Sequence, residues 1–271
     1  MSKKHKFRLS KISALHYFKL FYRSALWIAA TVTYIIGKLN DAPTLMHGLQ
    51  RMPITLSVIW VIFVAEMVLR FFPSNAESMG CQKQFRKNYI PAQQDGQVPQ
   101  RRTSRGVLAV AVCWILLNGT IGVLYDTGCI DAGILLLISL AYSVCDMICI
   151  LFFCPFQTWF MKNKCCGSCR IYNWDYAMMF TPLVFIRSIY TWSLLGIALF
   201  LLLVWEISAR LHPERFSECS NAALSCANCK EKLCHHKTQL RHFLKTNKDI
   251  LLLKGNALID KAKKRSEEDK S

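Results

Sequence analysis

The chain has 271 residues, 53% of them hydrophobic, and carries 34 Lys and Arg against 17 Asp and Glu, a formal net charge of +17. Its mean hydropathy of +0.24 excludes an ordinary soluble domain, because the apolar residues are gathered into runs about one bilayer long. The basic excess flanks those runs, which leaves no separate basic domain to bind nucleic acid.

Residues 1–23 hold seven Lys and Arg and no acid. This stretch is too long for the basic region of a secretory signal, and no small-residue cleavage site follows. It reads as a cytoplasmic membrane-surface segment that enters an uncleaved span. Residues 24–73 form a first helical hairpin, with spans near 21–37 and 54–73. Arg23, at the start of the first span, can snorkel to the headgroups. Glu66 precedes Arg70 by four residues, the spacing of an ion pair within one helix.

Residues 74–105 contain six basic and two acidic residues among Gly, Pro and Gln, and form a polar linker. Residues 106–160 make a second hairpin, with spans at 106–125 and 133–156. The connection at 126–132 has two Asp and no Lys or Arg. Positive charge stays inside, so the linker and the loop at 161–175 are expected in the cytoplasm and 126–132 outside. The protein is therefore expected to be a multi-pass protein of the cytoplasmic membrane with its N-terminus cytoplasmic.

Residues 176–208 are harder to place. As one helix, 33 residues would run roughly 50 Å, against a hydrocarbon core of about 30 Å, and Pro182 and Arg187 interrupt the first half. The segment is either a broken helical hairpin that returns the tail to the cytoplasm, or a surface piece followed by a fifth span. The tail, 209–271, begins with a Cys and His cluster and continues with Leu, Ile and Phe interleaved with lysines, the pattern of an amphipathic helix. The fold class is thus an all-α membrane protein: four transmembrane helices, a broken hairpin or fifth span, a cytoplasmic Cys-rich loop and an amphipathic C-terminal helix.

Thirteen cysteines need explaining. Cys113, Cys145 and Cys149 lie within apolar runs, where a thiol packs as a small hydrophobe. Cys154-Pro155 closes the fourth span, since proline stops a helix. The loop then supplies Cys165, Cys166 and Cys169, with Gly167 allowing a tight turn within the Cys166-x-x-Cys169 knuckle. The tail supplies Cys226, Cys229 and Cys234. Two C-x-x-C knuckles on one side of a membrane are what a tetrahedral thiolate site requires. The expected centre is an iron–sulfur cluster, with zinc as the alternative; thiol–disulfide chemistry and plain structural thiols are the competing readings. A cysteine before proline also ends some iron–sulfur runs, but four closely spaced ferredoxin cysteines are absent, so no family follows.

Charges within apolar runs are costly and usually face a bundle interior. Asp146 is the candidate for proton relay or for holding a quinone headgroup. Glu206 is expected to pair with Arg210. Asp175 is expected to cap the helix that follows it, or to pair with Arg187. The resulting expectation is a membrane-associated electron-transfer component, an oxidoreductase subunit in enzymatic terms, with the lipid bilayer, a quinone and a redox protein as partners. The alternatives are a zinc-stapled scaffold and a small transporter-like bundle in which Glu66 and Asp146 line a path.

Overall fold

The computed structural model describes residues 11–40, 53–73, 79–92, 100–161, 169–217 and 219–225. The chain divides into two compact units, Met1–Glu231 and Lys232–Ser271, and the second lies outside the described residues. The described part is helical, with one isolated antiparallel bridge between Pro91 and Asn221.

Among the described residues, seven α-helices carry the fold: α1 (Lys11–Leu39), α2 (Pro53–Leu69), α3 (Met79–Gln84), α4 (Gln100–Asp126), α5 (Ala132–Leu151), α6 (Asp175–Phe180) and α7 (Ile189–Leu211). Four stretches among the described residues are long and apolar enough to cross a membrane: Ala14–Leu39, Arg105–Asp126, Ala132–Leu151 and Ile189–Leu211. This makes the chain a multi-pass membrane protein by length and composition. The set differs from the expected one. The run at 54–73 yields α2 of only 17 residues, roughly 25 Å long, because Arg70 leaves the helix and the chain turns at residues 70–72. The fourth long helix is α7, which starts at Ile189, beyond Pro182 and Arg187.

Two of the boundaries follow from local chemistry. Asp131 caps α5, its carboxylate accepting the Ile134 N–H at 3.0 Å. The helix ends at Leu151, three residues before Cys154, and Pro155 opens a separate wide turn at Phe156–Met161. Proline sits there without loss because a first helical turn leaves its N–H groups unpaired anyway.

The core is built around the segment that was hardest to read. Tyr176, Met179 and Phe180 of α6, with Leu183 and Ile186 of the following 3-10 turn (Thr181–Phe185), are buried together with Phe63 and Met67 of α2, Leu135 of α5, and Leu194, Leu201 and Trp205 of α7. Irregular backbone is tolerated at membrane depth only where protein surrounds it, and here longer helices do. Contacts along this segment change in order. Ile171 packs with Val107 and Val110, Trp114 Nε1 donates to Thr181 Oγ1 at 3.2 Å, and the ring of Phe185 lies 6.4 Å from that of Tyr125. Residues 171–185 therefore run beside α4 in the same direction. α7 in turn runs beside α2 in the same direction: Trp60 Nε1 donates to Ser193 Oγ at 2.8 Å near the start, and the Phe71 and Phe200 rings are 5.6 Å apart further along.

The end of α7 is tied to the residues after Cys169. Arg170 Nε donates to Glu206 Oε1 at 3.2 Å and its Nη2 contacts Oε2, while Trp174 Nε1 donates to Oε1 at 2.8 Å. Beyond α7, fully buried Asn221 donates to the carbonyls of Lys83 and Arg215 at 3.0 and 2.9 Å. Ala92 N–H bonds Ser220 O, and Ala222 N–H bonds Ile90 O. The linker after α3 and the first tail residues are thus stitched together.

Candidate functional site

At one end of the bundle, four elements bring six charged side chains into a lattice with no net charge. Arg23 of α1 is 1% exposed. Its Nη2 meets Glu66 Oε2 at 2.7 Å, and its Nη1 meets Asp146 Oδ2 at 3.3 Å and the Ser143 carbonyl at 3.1 Å. Lys19 Nζ lies 3.2 Å from Glu66 Oε1, and the hydroxyls of Tyr22 and Tyr176 donate to the same carboxylate at 2.7 and 2.9 Å. Arg70 holds Asp175 through Nη1–Oδ1 at 2.7 Å and Nη2–Oδ2 at 2.5 Å. The Tyr176 ring lies between the two guanidinium groups, 5.9 Å from that of Arg23 and 4.6 Å from that of Arg70. Three cations face three carboxylates, so each charge taken out of water has a partner.

This lattice replaces the local pairings that helix spacing suggested. Glu66 pairs with Arg23 and Lys19 of α1, and Arg70 lies beyond the end of α2 at Leu69, so the two do not share a helix. Arg70 reaches across to Asp175, which therefore pairs neither with Arg187 nor caps α6; no side chain caps that helix. Arg187 is exposed. Glu206 takes Arg170 and Trp174 in place of Arg210. Arg23 does not snorkel: it is the centre of the lattice. A charged residue early in an apolar run was the available signal, but the sequence does not say which distant carboxylate it will meet.

Beside the lattice lies a cavity of about 270 Å³. α4 contributes Trp114, α5 contributes Tyr142, Cys145, Asp146, Cys149 and Ile150, the turn at Pro155 closes one side, and Cys169, Ile171, Tyr172, Asp175, Met178 and Met179 close another. The wall is mostly apolar, with the carboxylates of Asp146 and Asp175 at its edge. The Trp114 and Tyr142 rings are 4.7 Å apart. Four thiols share this wall: Cys145, Cys149, Cys154 and Cys169.

Of the residues expected to hold a metal, Cys154 and Cys169 both line this cavity, Cys169 buried and Cys154 partly so. Cys165, Cys166, Cys226, Cys229 and Cys234 lie outside the described residues, as does the expected amphipathic helix. Among the described residues, no three His, Cys, Asp or Glu side chains converge on a point that would hold a metal ion. Asp146, the candidate relay residue, lines the cavity and is paired with Arg23. Cys145 and Cys149, expected only to pack, share the cavity with Cys154. A helical spacing of four places them on one face of α5, but only the chain's return after Leu151 brings Cys154 to that face.

No family model, no curated protein and no solved structure matches this chain.

Proposed function

We propose that this protein is a membrane-embedded component of electron transfer. In this reading, loop thiols (Cys165, Cys166 and Cys169) and tail thiols (Cys226, Cys229 and Cys234) hold an iron–sulfur centre on the cytoplasmic side, with Cys154 at its edge. The adjoining cavity admits a membrane-soluble carrier of the quinone class. The observation that carries the reading is that Cys154 and Cys169 line one cavity together with Asp146 and Asp175. The anchoring of Asn221 against Lys83 supports it, because the chain leading to Cys226 starts beside the linker. Asp146 would orient a carrier headgroup by accepting a hydrogen bond, while Arg23 keeps its charge compensated. The transporter reading is weaker, because Glu66 is engaged by two cations and two hydroxyls.

Anaerobic purification tests this directly. The expected product is brown, contains iron and sulfide, and co-purifies with an isoprenoid ring compound identified by mass spectrometry. Cys166→Ser and Cys229→Ser should each lose most of the metal, and the double variant little more, since ligands of one centre act together. A colourless protein containing zinc would select the scaffold. A metal-free one with neither colour nor zinc would end both metal readings.

A further inference from the structure

α4 and α5 form a hairpin whose arms are wedged apart by the segment at 171–185. Ile171 packs on Val107 and Val110 of α4 and Thr181 accepts from Trp114, while Ser139 Oγ of α5 donates to the Met179 carbonyl at 2.9 Å. The cavity is the space this wedge leaves on one side. At one end the Trp114 and Tyr142 rings, 4.7 Å apart, bridge α4 and α5. At the other, the turn Phe156–Met161 lies so close to α4 that a Cβ at Gly106 would stand 2.8 Å from the Phe160 carbonyl. Asp146 and Asp175, on the inner side, are held by Arg23 and Arg70 of the charge lattice. The remaining side carries Cys145, which lines the cavity and is nevertheless exposed. Cys145 lies within the span Ala132–Leu151, roughly 9 Å inside its end, so what meets it there is lipid rather than water.

We propose that the cavity is loaded sideways from the hydrocarbon core of the bilayer, past Cys145 in the gap between α4 and α5. Its ligand turns a polar head inward and leaves a long apolar chain in lipid. The volume of about 270 Å³ falls short of the roughly 300–1,000 Å³ that encloses a whole drug-sized ligand, so the cavity takes a head and little more. The chain must then stay outside, and each methylene kept from water lowers the free energy of that arrangement. A lipid-facing opening provides for this, whereas an aqueous one would not. The polarity of the wall fixes the orientation. It is apolar apart from its inner edge, where a carboxylate paired with a guanidinium accepts hydrogen bonds and donates none. Arg23 and Arg70 already balance both carboxylates, so the head that fits is uncharged and donates a hydrogen bond. That this head is a ring of the quinol type rests on the electron-carrier reading above; the sideways route does not. Cys145 serves here by being small, and a large side chain in its place would close the opening.

The test uses the full chain in lipid nanodiscs and a long-chain benzoquinol whose ring bears a photoreactive diazirine, with labelled peptides mapped by mass spectrometry. Ile171 and Met179 line the cavity and are 6% and 1% exposed, so label there reports an occupant and not the surrounding lipid. Cys145→Trp should cut that label by about tenfold or more and leave thermal unfolding unchanged, because the side chain faces lipid. Cys113→Trp, at an exposed thiol of α4 outside the cavity wall, should change neither. A second measurement needs no variant: a sulfonated benzoquinol with the diazirine but no chain should leave Ile171 and Met179 of the native protein unlabelled. Undiminished label in folded Cys145→Trp, or equal label from the chainless probe, would overturn the sideways route while leaving a carrier in the cavity. If the quinol fails to label but a phospholipid with a diazirine in its acyl chain does, and Cys145→Trp removes that label, the route stands and the carrier reading ends. Absence of label from both probes would sink the proposal itself.

Discussion

At the scale of single residues, the lattice gives an order of severity. Removing the guanidinium with Arg23→Met leaves the buried carboxylates of Glu66 and Asp146 short of their shared cation. The expected loss is about 3–5 kcal/mol, the cost of orphaning a buried charge. Asp146→Asn removes a longer contact and leaves Arg23 its 2.7 Å bond to Glu66, so about 1–3 kcal/mol is expected. Thermal unfolding in one detergent compares the two, and a larger loss for Asp146→Asn would mean that Asp146 carries more than this pairing. At the opposite end, Asp131 caps α5 and accepts from Tyr34 at 3.0 Å, with Lys38 Nζ also 3.0 Å away. Burial pushes the Asp131 carboxyl up, but the Ile134 N–H and the Lys38 and Tyr34 donors outweigh it and hold it below the usual carboxylate value. A lowered folded value means that this contribution is present at neutral pH and is lost as pH falls through the folded value. Asp131→Asn should keep the cap and remove that acid-side dependence, whereas Asp131→Ala should also lose about 1 kcal/mol of capping. Unfolding curves at neutral and acidic pH separate the two effects. Equal losses for Asn and Ala would show that the cap contributes nothing.

At the scale of elements, the central 3-10 turn depends on a close approach to α4. A Cβ at Gly122 would run into the Phe185 ring, whereas a Cβ at Gly119 would meet nothing within 4 Å. Gly122→Ala should therefore push Phe185 from its place at a cost of about 1–3 kcal/mol, and Gly119→Ala should be close to neutral. Phe185→Leu added to Gly122→Ala should restore part of the loss, and a double variant no better than the single would place the strain elsewhere. The two glycines look alike in the sequence, three residues apart in one apolar run. Their difference arises from a segment 63 residues later in the chain. The apolar runs themselves were legible, because a bilayer core imposes a length that composition alone meets. The shortness of α2 was not, because Arg70 leaves the helix for Asp175, a partner 105 residues away.

At the scale of the whole molecule, the contacts sort exposed groups to two ends. Cys129 is exposed in the connection before α5, near the Asp131–Tyr34–Lys38 cluster. Cys219 is exposed beyond α7, in the stretch bonded to residues 83–92. In cysteine-free backgrounds carrying only one or the other, a membrane-impermeant reagent should label Cys129 from outside intact cells and Cys219 only after permeabilisation. Labelling of both from one side would overturn the charge-based orientation and the proposal of a cytoplasmic metal centre with it. The reverse pattern would keep the two ends distinct and invert the protein.

What the sequence determined by itself is the solvent of this protein and the positions of three of its long helices, α1, α4 and α5. Segregated apolar runs, an acid-only connection at 126–132 and basic flanks act through length, composition and local charge, and those need no partner. What only the tertiary structure decided is which charges meet, which thiols share a wall and which segment is central. Residues 175–186 look too broken to be important, yet they form the core, because a backbone with gaps in its own hydrogen bonding must be enclosed by helices that have none. Arg23 and Asp146 lie 123 residues apart, and no local spacing rule connects them. The free energy of burying a charge depends on what comes to meet it, and that is fixed only when the helices pack.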